Sequence, residues 1–210
     1  MALDKSSKEN GLRHEGNYVI TGGIGGVGSI LAKYLSKEYK ANIAVISRTV
    51  IPERPTWESY LFENEDSTAA KIRKIIEIES YGGRVLPLSA DVGDGQAVSE
   101  ALQLIEKEFG KINGLIHAAA NTTGVSHVCN VDNLSTDLIK EQFYAKVRGT
   151  MVLSDRVKGM DLDFFMVTSS LSAILGGIGF LAYAASNVVV DQFLSGKNLE
   201  GSTRYISINW

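Results

Sequence analysis

The sequence predicts an α/β fold, a doubly wound parallel sheet with helices on both faces, and two observations support this prediction. Short and nearly continuous hydrophobic runs, typical of parallel strands buried on both faces, alternate with helical patterns through most of the chain. A glycine-rich turn also joins the first of these runs to the first helical pattern. Alternation of strands and helices implies right-handed βαβ crossovers, which place the strands side by side in one sheet.

The individual elements follow from the same patterns. Strands are predicted at Tyr18–Thr21, Asn42–Ser47, Arg84–Ser89, Gly114–Ala118, Phe164–Ser169 and Arg204–Asn209. Helices are predicted at about Val27–Glu38, Thr68–Tyr81, Gly95–Phe109, Asp137–Val157 and Leu181–Leu199. We interpret the long connection Val50–Thr68, which carries prolines and a cluster of acidic residues, as a solvated surface excursion. Within it, Asp66–Thr68 offer side-chain oxygens that suit a helix N-terminus.

Length, composition and charge limit the possible classes of protein. At 210 residues with 44% hydrophobic content, the chain can bury one substantial core. We expect an N-terminal tail or linker over residues 1–16 and one folded domain over residues 17–210. The net charge of −3, without a Lys/Arg cluster, gives a nucleic-acid or anionic-membrane partner little support. The apolar runs are too short to span a bilayer and no secretory signal is evident, so we expect a cytoplasmic location.

Cysteine and histidine usage predicts no metal site. Cys129 is the only cysteine, which excludes an internal disulfide and a cysteine-built metal site. The three histidines, His14, His117 and His127, are scattered along the chain and lack ligand spacing. We therefore expect no metal.

The glycine-rich turn has the composition of a dinucleotide-binding loop. It reads Thr21-Gly22-Gly23-Ile24-Gly25-Gly26-Val27-Gly28 and lies between the first strand and the first helix. Glycines suit this turn because it is tight and because a side chain would hold the backbone away from a pyrophosphate. The helix N-terminus then offers free N–H groups to the anion. A glycine turn without a ligand is the alternative, but the strand–turn–helix context favours the dinucleotide site and a sheet of the Rossmann type.

The end of the second strand predicts which dinucleotide is bound. An acidic residue there would hydrogen-bond the 2′-hydroxyl of NAD, whereas Arg48 offers a guanidinium suited to a 2′-phosphate, with Ser47 as a further donor. Arg48 alone would be read as a solvated charge, but beside the glycine turn it favours NADPH. Asp91, followed by Val92, closes the third strand where an acceptor would take the adenine amino group. A turn or helix-capping role for Asp91 is the competing interpretation, and the two are compatible.

Polar side chains around the fifth strand predict reduction chemistry. Tyr183 and Asn187 are four residues apart on one face of a predicted helix, and Ser170 follows the fifth strand. Hydride delivered to a ketone builds negative charge on its oxygen, which requires a proton donor and oriented hydrogen bonds. A tyrosine can be that donor only if a nearby cation lowers its pKa, and Lys146 on the preceding helix could supply the cation. A lone Tyr-x-x-x-Asn pattern would carry no information, because core and surface tyrosines are far more common.

Together, these motifs resemble the short-chain dehydrogenase/reductase superfamily. The resemblance is carried by the glycine turn, Ile46-Ser47-Arg48, Ala90-Asp91-Val92, Leu115-Ile116-His117-Ala118-Ala119, Ala145-Lys146-Val147-Arg148-Gly149-Thr150, Ser169-Ser170 and Tyr183-Ala184-Ala185-Ser186-Asn187. In most members the lysine follows the tyrosine by four residues and the asparagine lies on the earlier helix, whereas here the two are exchanged. The exchange resembles ketoreductase domains of polyketide synthases and animal-type fatty acid synthases. Gly11-Leu12-Arg13 and Ile206-Ser207-Ile208-Asn209-Trp210 resemble the polyketide type.

The resemblance implies roles for the site residues. Tyr183 would be the proton donor, Ser170 the partner of the substrate carbonyl, and Lys146 the cation. Asn187 would complete the tetrad. The cofactor would also contact Tyr183, Lys146, Ala118, Ala119 and Ala120. The implied reaction is NADPH-dependent reduction of a β-ketoacyl group, carried on an acyl carrier protein, to a β-hydroxyacyl group. An upstream structural subdomain of the same synthase is the other implied partner.

The chain departs from the family pattern in several places. Ala120 replaces the glycine that usually follows His117-Ala118-Ala119. Thr122-Thr123-Gly124 stands where one stereochemical type has Leu-Asp-Asp, and Leu175 stands where the other has tryptophan, so the hydroxyl configuration is not predicted. The sequence stops after the sixth strand, and we expect an intact reductase to continue into a last strand and a lid.

Two other functions are open on the sequence alone. One is a different enzyme on the same scaffold, such as a free-standing carbonyl reductase or a nucleotide-sugar epimerase, which the exchanged lysine and asparagine disfavour. The other is a catalytically inactive NADPH-binding module within a synthase. Such modules typically lose the tyrosine or alter the glycine turn, and this chain keeps both.

Overall fold

Six parallel strands form the sheet of the computed structural model, which describes residues 11–122, 127–199 and 203–210. They are β1 (Asn17–Thr21), β2 (Asn42–Ser47), β3 (Arg84–Ser89), β4 (Gly114–His117), β5 (Phe164–Ser169) and β6 (Arg204–Asn209). Their order is β3-β2-β1-β4-β5-β6, which confirms the doubly wound parallel sheet. Each strand predicted from the sequence is present, with bounds that differ by no more than one residue.

Alternate side chains of the strands face two separate hydrophobic cores. In β1, Val19 faces one core while Tyr18 and Ile20 face the other. The parallel register places Val19 beside Ala44 of β2 and Leu115 of β4, which face the same core. Because both faces of the sheet are covered, the strands are nearly continuous hydrophobic runs in the sequence.

Helices cover both faces of the sheet. They are α1 (Gly26–Tyr39), α2 (Trp57–Glu63), α3 (Ser67–Ser80), α4 (Gly95–Phe109), α5 (Thr136–Phe143), α6 (Gly149–Arg156), α7 (Ser172–Leu175) and α8 (Leu181–Lys197). Buried residues of α1, α2 and α3 belong to one core, and buried residues of α4, α6 and α8 belong to the other. The short helices α2 and α7 were not predicted from the sequence.

The connection between β2 and β3 contains more structure than the sequence suggests. The side chain of Trp57 at the start of α2 is only 6% exposed and packs in the same core as α3. Its indole N–H donates to the carbonyl oxygen of Pro52 at 2.8 Å, and the Arg54 guanidinium lies 4.6 Å from the ring centre. Most residues of the connection are exposed, as expected for a solvated surface excursion, but one buried aromatic side chain folds it onto the domain. The expected helix start is confirmed, since Asp66 Oδ1 accepts a hydrogen bond from the Ala69 N–H at 2.8 Å.

The helix predicted over Asp137–Val157 is interrupted. A π-helical turn over Tyr144–Arg148 separates α5 from α6. The Ala145 carbonyl oxygen lies 3.0 Å from His117 Nε2, and Arg148 Nε donates to the carbonyl oxygen of Gly93 at 2.8 Å. The predicted helical stretch is present from Thr136 to Arg156, but the sequence did not indicate the wide turn, which is accompanied by these contacts with distant residues.

No helix among the described residues is long and apolar enough to cross a membrane. Within the same residues, no three metal-ligating side chains converge on one point. Residues 11–16, which the sequence assigns to a tail, contact the domain: Leu12 packs against one core and Arg13 forms a 2.5 Å ion pair with Asp163. Residues 1–10 of the predicted tail, and Thr123 and Gly124, lie outside the described residues.

Candidate active site

A cavity of about 970 Å³ lies at the carboxyl ends of the strands, where the strand order reverses between β1 and β4. Open α/β sheets bind ligands at this switch point. The structure brings most of the predicted site residues to its walls: Gly22, Ile24, Gly25, Gly26, Val27, Gly28, Ser47, Arg48, Asp91, Val92, Ala118, Ala119, Ala120, Lys146 and Tyr183. Thr21 and Gly23 of the glycine turn do not line it, and neither do Ser170 and Asn187.

The glycines of the turn have two different surroundings. Gly22 has φ +70°, and a Cβ there would lie 2.9 Å from the backbone of Ala119. A Cβ on Gly28 would collide with the carbonyl oxygen of Gly22, so this glycine permits α1 to approach the turn. A Cβ on Gly26, in contrast, would meet no atom within 4 Å. Gly26 therefore leaves open space in front of the first turn of α1.

The N-terminus of α1 offers backbone donors to this space. Its N-cap is Gly25, no side chain caps it, and its first turn carries no acidic residue. The first N–H groups of a helix have no partner inside the helix, and the helix dipole makes this end partly positive. The arrangement suits an anion such as a pyrophosphate.

Thr21 and His117 link the glycine turn to the π-helical turn. His117 is fully buried, with Nδ1 at 2.6 Å from Thr21 Oγ1 and Nε2 at 3.0 Å from the carbonyl oxygen of Ala145. Because a carbonyl only accepts, Nε2 carries the hydrogen and Nδ1 accepts from the threonine hydroxyl. Burial and the nearby charge of Lys146 lower the His117 pKa to about 3, so the ring is neutral at neutral pH. Thr21 thus occupies a buried position behind the glycine turn.

The ends of β2 and β3 form the other side of the cavity. Arg48 is exposed, and within the described residues no acceptor side chain binds its guanidinium. Ser47 Oγ accepts a hydrogen bond from the Thr49 N–H at 3.3 Å. Asp91 Oδ1 accepts from the Gly93 N–H at 2.8 Å, so Asp91 is a turn residue that also lines the cavity. Both interpretations of Asp91 made from the sequence remain compatible with its position.

Lys146 is a buried cation within the π-helical turn. Only 3% of the residue is exposed, and its ammonium donates to the carbonyl oxygen of Thr168. Burial lowers the Lys146 pKa to about 8, while the charge of Asp191 on α8 opposes this shift. A π-helical turn inside an α-helix is frequently found at a functional site. Here it carries the lysine to the cavity wall.

Tyr183 lies where two cavities meet. Lys146 lines the large cavity, and Ser170 lines a neighbouring cavity of about 420 Å³. Tyr183 lines both cavities. Ser170 Oγ accepts from the Ser172 N–H at 3.1 Å and from the Ser172 hydroxyl at 2.9 Å. These two contacts leave the Ser170 hydroxyl hydrogen available to another acceptor.

Asn187 lies behind Tyr183, one helical turn along α8, and is fully buried. Its Nδ2 donates to the carbonyl oxygen of Tyr183 at 2.9 Å. Its Oδ1 is buried and has no hydrogen-bond partner among the described residues. One further turn along, Asp191 accepts a hydrogen bond from the Ser207 hydroxyl of β6. The Tyr183 helix therefore carries a row of polar groups from the cavity toward β6.

Sequence reasoning missed several residues of the site. His127, dismissed there as scattered, packs its ring edge-on against Tyr183 with centroids 4.6 Å apart, and it lines the smaller cavity. Thr49 and Lys71 line the large cavity. His127 follows β4 and Thr49 follows β2, so their place at the carboxyl end of a parallel strand was an available signal. No sequence signal marks Lys71, which reaches the site from the middle of α3.

Comparison with known proteins identifies the family. The model of the family described as KR domain matches residues 16–210. The chain is 32% identical over 199 residues to polyketide synthase PksM of Bacillus subtilis (strain 168), covering 95% of this chain and 4% of that synthase. Among solved structures, an N-terminal ketoreductase from the macrolactin assembly line superposes with a TM-score of 0.81 at 28% identity, covering 94% of this chain and 37% of that one. A ketoreductase domain from the bacillaene assembly line gives 0.78 at 30% identity, covering 94% and 44%. The chain therefore belongs to the KR domain family, the ketoreductase domains of polyketide synthases, within the short-chain dehydrogenase/reductase fold.

Proposed function

We propose that this chain uses NADPH to reduce a β-ketoacyl thioester, carried on an acyl carrier protein, to the β-hydroxyacyl thioester. The observation that carries the proposal is the position of Tyr183. Tyr183 lines the large cavity, together with the glycine turn and Lys146. It also lines the smaller cavity, together with Ser170. A proton donor between a dinucleotide site and a substrate site is what ketone reduction requires.

The surroundings of the large cavity support a dinucleotide as its ligand. The open space beside Gly26 and the uncapped N-terminus of α1 suit a pyrophosphate. Arg48, at the end of β2, favours a 2′-phosphate, and the Asp91 carboxylate would accept from the adenine amino group. Ala118, Ala119 and Ala120 would line the path toward the nicotinamide. The nicotinamide of NADPH, when bound, supplies the hydride.

Side chains at the two cavities would stabilise the negative charge that forms on the substrate oxygen during reduction. The Ser170 hydroxyl would donate a hydrogen bond to the carbonyl oxygen of the substrate, which becomes negative as the carbonyl carbon accepts the hydride. Tyr183 would then transfer its hydroxyl proton to that oxygen, completing the alcohol. The Lys146 ammonium would stabilise the resulting tyrosinate by its charge. Asn187 would hold Lys146 or a relay water through its Oδ1.

Membership of the family supports the proposed substrate class and partners. The relative PksM is a polyketide synthase much longer than this chain, which supports a place within a larger synthase. An acyl carrier protein would deliver the thioester, and an upstream structural subdomain would pack beside the domain. Apolar side chains of Leu171, Leu175 and Phe180 line the smaller cavity, where they suit an acyl chain.

The proposal is tested by removing one oxygen atom. Tyr183→Phe keeps the ring and removes the proton donor, so we expect reduction of a short β-ketoacyl thioester to fall by about 10²- to 10⁴-fold while NADPH binding is retained. Nucleotide fluorescence measures binding, and NADPH consumption measures turnover. Tyr81→Phe, at the end of α3 and outside both cavities, is the matched control and keeps full activity. Retained reduction by Tyr183→Phe would refute the assignment of the donor.

A further inference from the structure

We propose that Lys71 of α3 is a second cation, beside Arg48, for the 2′-phosphate of the cofactor. This inference rests on the proposed function, because it requires that the large cavity binds NADPH. Lys71 would act together with Thr49, the residue that follows Arg48. The resulting site would bind a phosphomonoester on the ribose between the end of β2 and the side of α3.

A contact with the end of β2 holds Lys71 at the wall of the large cavity. The Lys71 ammonium donates to Thr49 Oγ1, and both residues line the large cavity together with Ser47 and Arg48. An ammonium has three N–H donors, and one of them is used by Thr49. The turn is held in place by the hydrogen bond from the Thr49 N–H to Ser47 Oγ. Lys71 is therefore fixed at the cavity wall with donors to spare.

The cationic residues of α3 differ in whether they are paired with a carboxylate. Arg73 does not line the cavity and forms a two-fold hydrogen-bonded pair with Glu65 at 3.0 and 2.6 Å. Lys71 and Lys74 instead donate to neutral oxygens, those of Thr49 and of the Ile24 carbonyl. In the ranges that the structure covers, no carboxylate lies within ion-pair distance of Lys71, Lys74 or Arg48. One face of α3 thus presents positive charge without a carboxylate toward the glycine turn and the end of β2.

A phosphomonoester fits this arrangement better than a hydroxyl does. A 2′-phosphate carries up to two negative charges and three acceptor oxygens, which match the guanidinium of Arg48, the ammonium of Lys71 and the hydroxyl of Thr49. A 2′-hydroxyl would leave two cations without an anionic partner. Lys71 therefore adds affinity for NADPH without adding affinity for NADH.

Binding of adenosine nucleotides tests the inference without any catalytic step. The full 210-residue chain is titrated with 2′,5′-ADP and with 5′-ADP, which distinguishes the 2′-phosphate from the rest of the nucleotide. Lys71→Met is expected to weaken 2′,5′-ADP binding about tenfold or more, the effect of losing a hydrogen bond between charged groups, and to leave 5′-ADP binding unchanged. Unchanged 5′-ADP binding also shows that the variant is folded. Lys37→Met on α1, whose side chain is 66% exposed and remote from the cavity wall, is the matched control.

The outcomes separate this inference from the proposed function. A loss of 2′,5′-ADP affinity in Lys71→Met, absent in Lys37→Met, supports the second cation. Equal affinities of Lys71→Met and the unaltered chain for 2′,5′-ADP would overturn it and leave the NADPH site with Arg48 alone. Equal affinity of the unaltered chain for both nucleotides would overturn both the second cation and the choice of NADPH. The role of Tyr183 in ketone reduction would still be tested separately, by the Tyr183→Phe variant.

Discussion

At the scale of single residues, the candidate site contains a lysine that stays charged in a buried position. Burial disfavours the charge of Lys146, which lowers its pKa to about 8, and Asp191 opposes this effect. His117, which also lies near Lys146, is neutral and therefore adds no repulsion. The balance between burial and one carboxylate thus leaves the ammonium charged at neutral pH, but only by a small margin.

This margin predicts a pH dependence. If the Lys146 charge supports Tyr183, turnover falls as the pH rises through about 8, because the ammonium is neutral above its pKa. Asp191→Asn removes the carboxylate that raises the Lys146 pKa, so the fall in kcat is expected at lower pH. The measurement is kcat against pH for both proteins. Ser207→Ala, which removes the hydrogen bond to Asp191 but keeps the charge, is the control and leaves the fall in place. An identical pH profile for Asp191→Asn would show that this carboxylate does not tune Lys146.

Local spacing explains which site residues were predictable. Tyr183 and Asn187 are four residues apart on one helix, so their common face follows from helical geometry. Arg48 and Asp91 end parallel strands, so their common edge follows from the sheet. Lys71 was not predictable in this way, because only the packing of α3 beside the end of β2 brings it to the cavity.

At the scale of elements, the strands were easier to predict than the helices and connections. A strand buried on both faces is marked by its own hydrophobic residues, and all six were found. The π-helical turn was missed because its contacts with His117 and Gly93 come from distant parts of the chain. The helix after β2 was missed because a single tryptophan, Trp57, anchors it within a segment of prolines and acidic residues.

The glycine turn gives a prediction at the same scale. Gly28→Ala would place a methyl group against the Gly22 carbonyl, so we expect a lower unfolding temperature without any ligand. Gly26→Ala meets no protein atom, so the unfolding temperature should be retained, but the methyl would occupy the space proposed for the pyrophosphate. Thermal unfolding with and without NADPH separates the two effects, because a bound ligand stabilises the folded state.

The two variants, Gly26→Ala and Gly28→Ala, serve as controls for each other. We expect NADPH to raise the unfolding temperature of the unaltered chain, and Gly26→Ala is expected to lose most of that rise. A rise as large as that of the unaltered chain would mean that the phosphates do not pass over Gly26.

At the scale of the whole molecule, the candidate site lies where the strand order reverses between β1 and β4. The reversal opens a cavity at the carboxyl ends of the strands, and the glycine turn, the end of β2 and the π-helical turn all reach it. β5 and α8 then bring Ser170 and Tyr183 to the adjoining cavity. The doubly wound sheet was predicted from the alternation of strands and helices together with the glycine turn. The division into two cavities that share Tyr183 required the structure.

In the proposed reaction, the chain transfers hydride from NADPH to a β-ketoacyl thioester. The most direct test incubates the chain with a short β-ketoacyl thioester and either NADPH or NADH, and measures nucleotide consumption together with the β-hydroxyacyl product. We expect one β-hydroxyacyl thioester to form for each NADPH consumed, and we expect a much slower reaction with NADH because it lacks the 2′-phosphate. Tight NADPH binding with no consumption and no product would contradict the claim and would indicate a nucleotide-binding module instead.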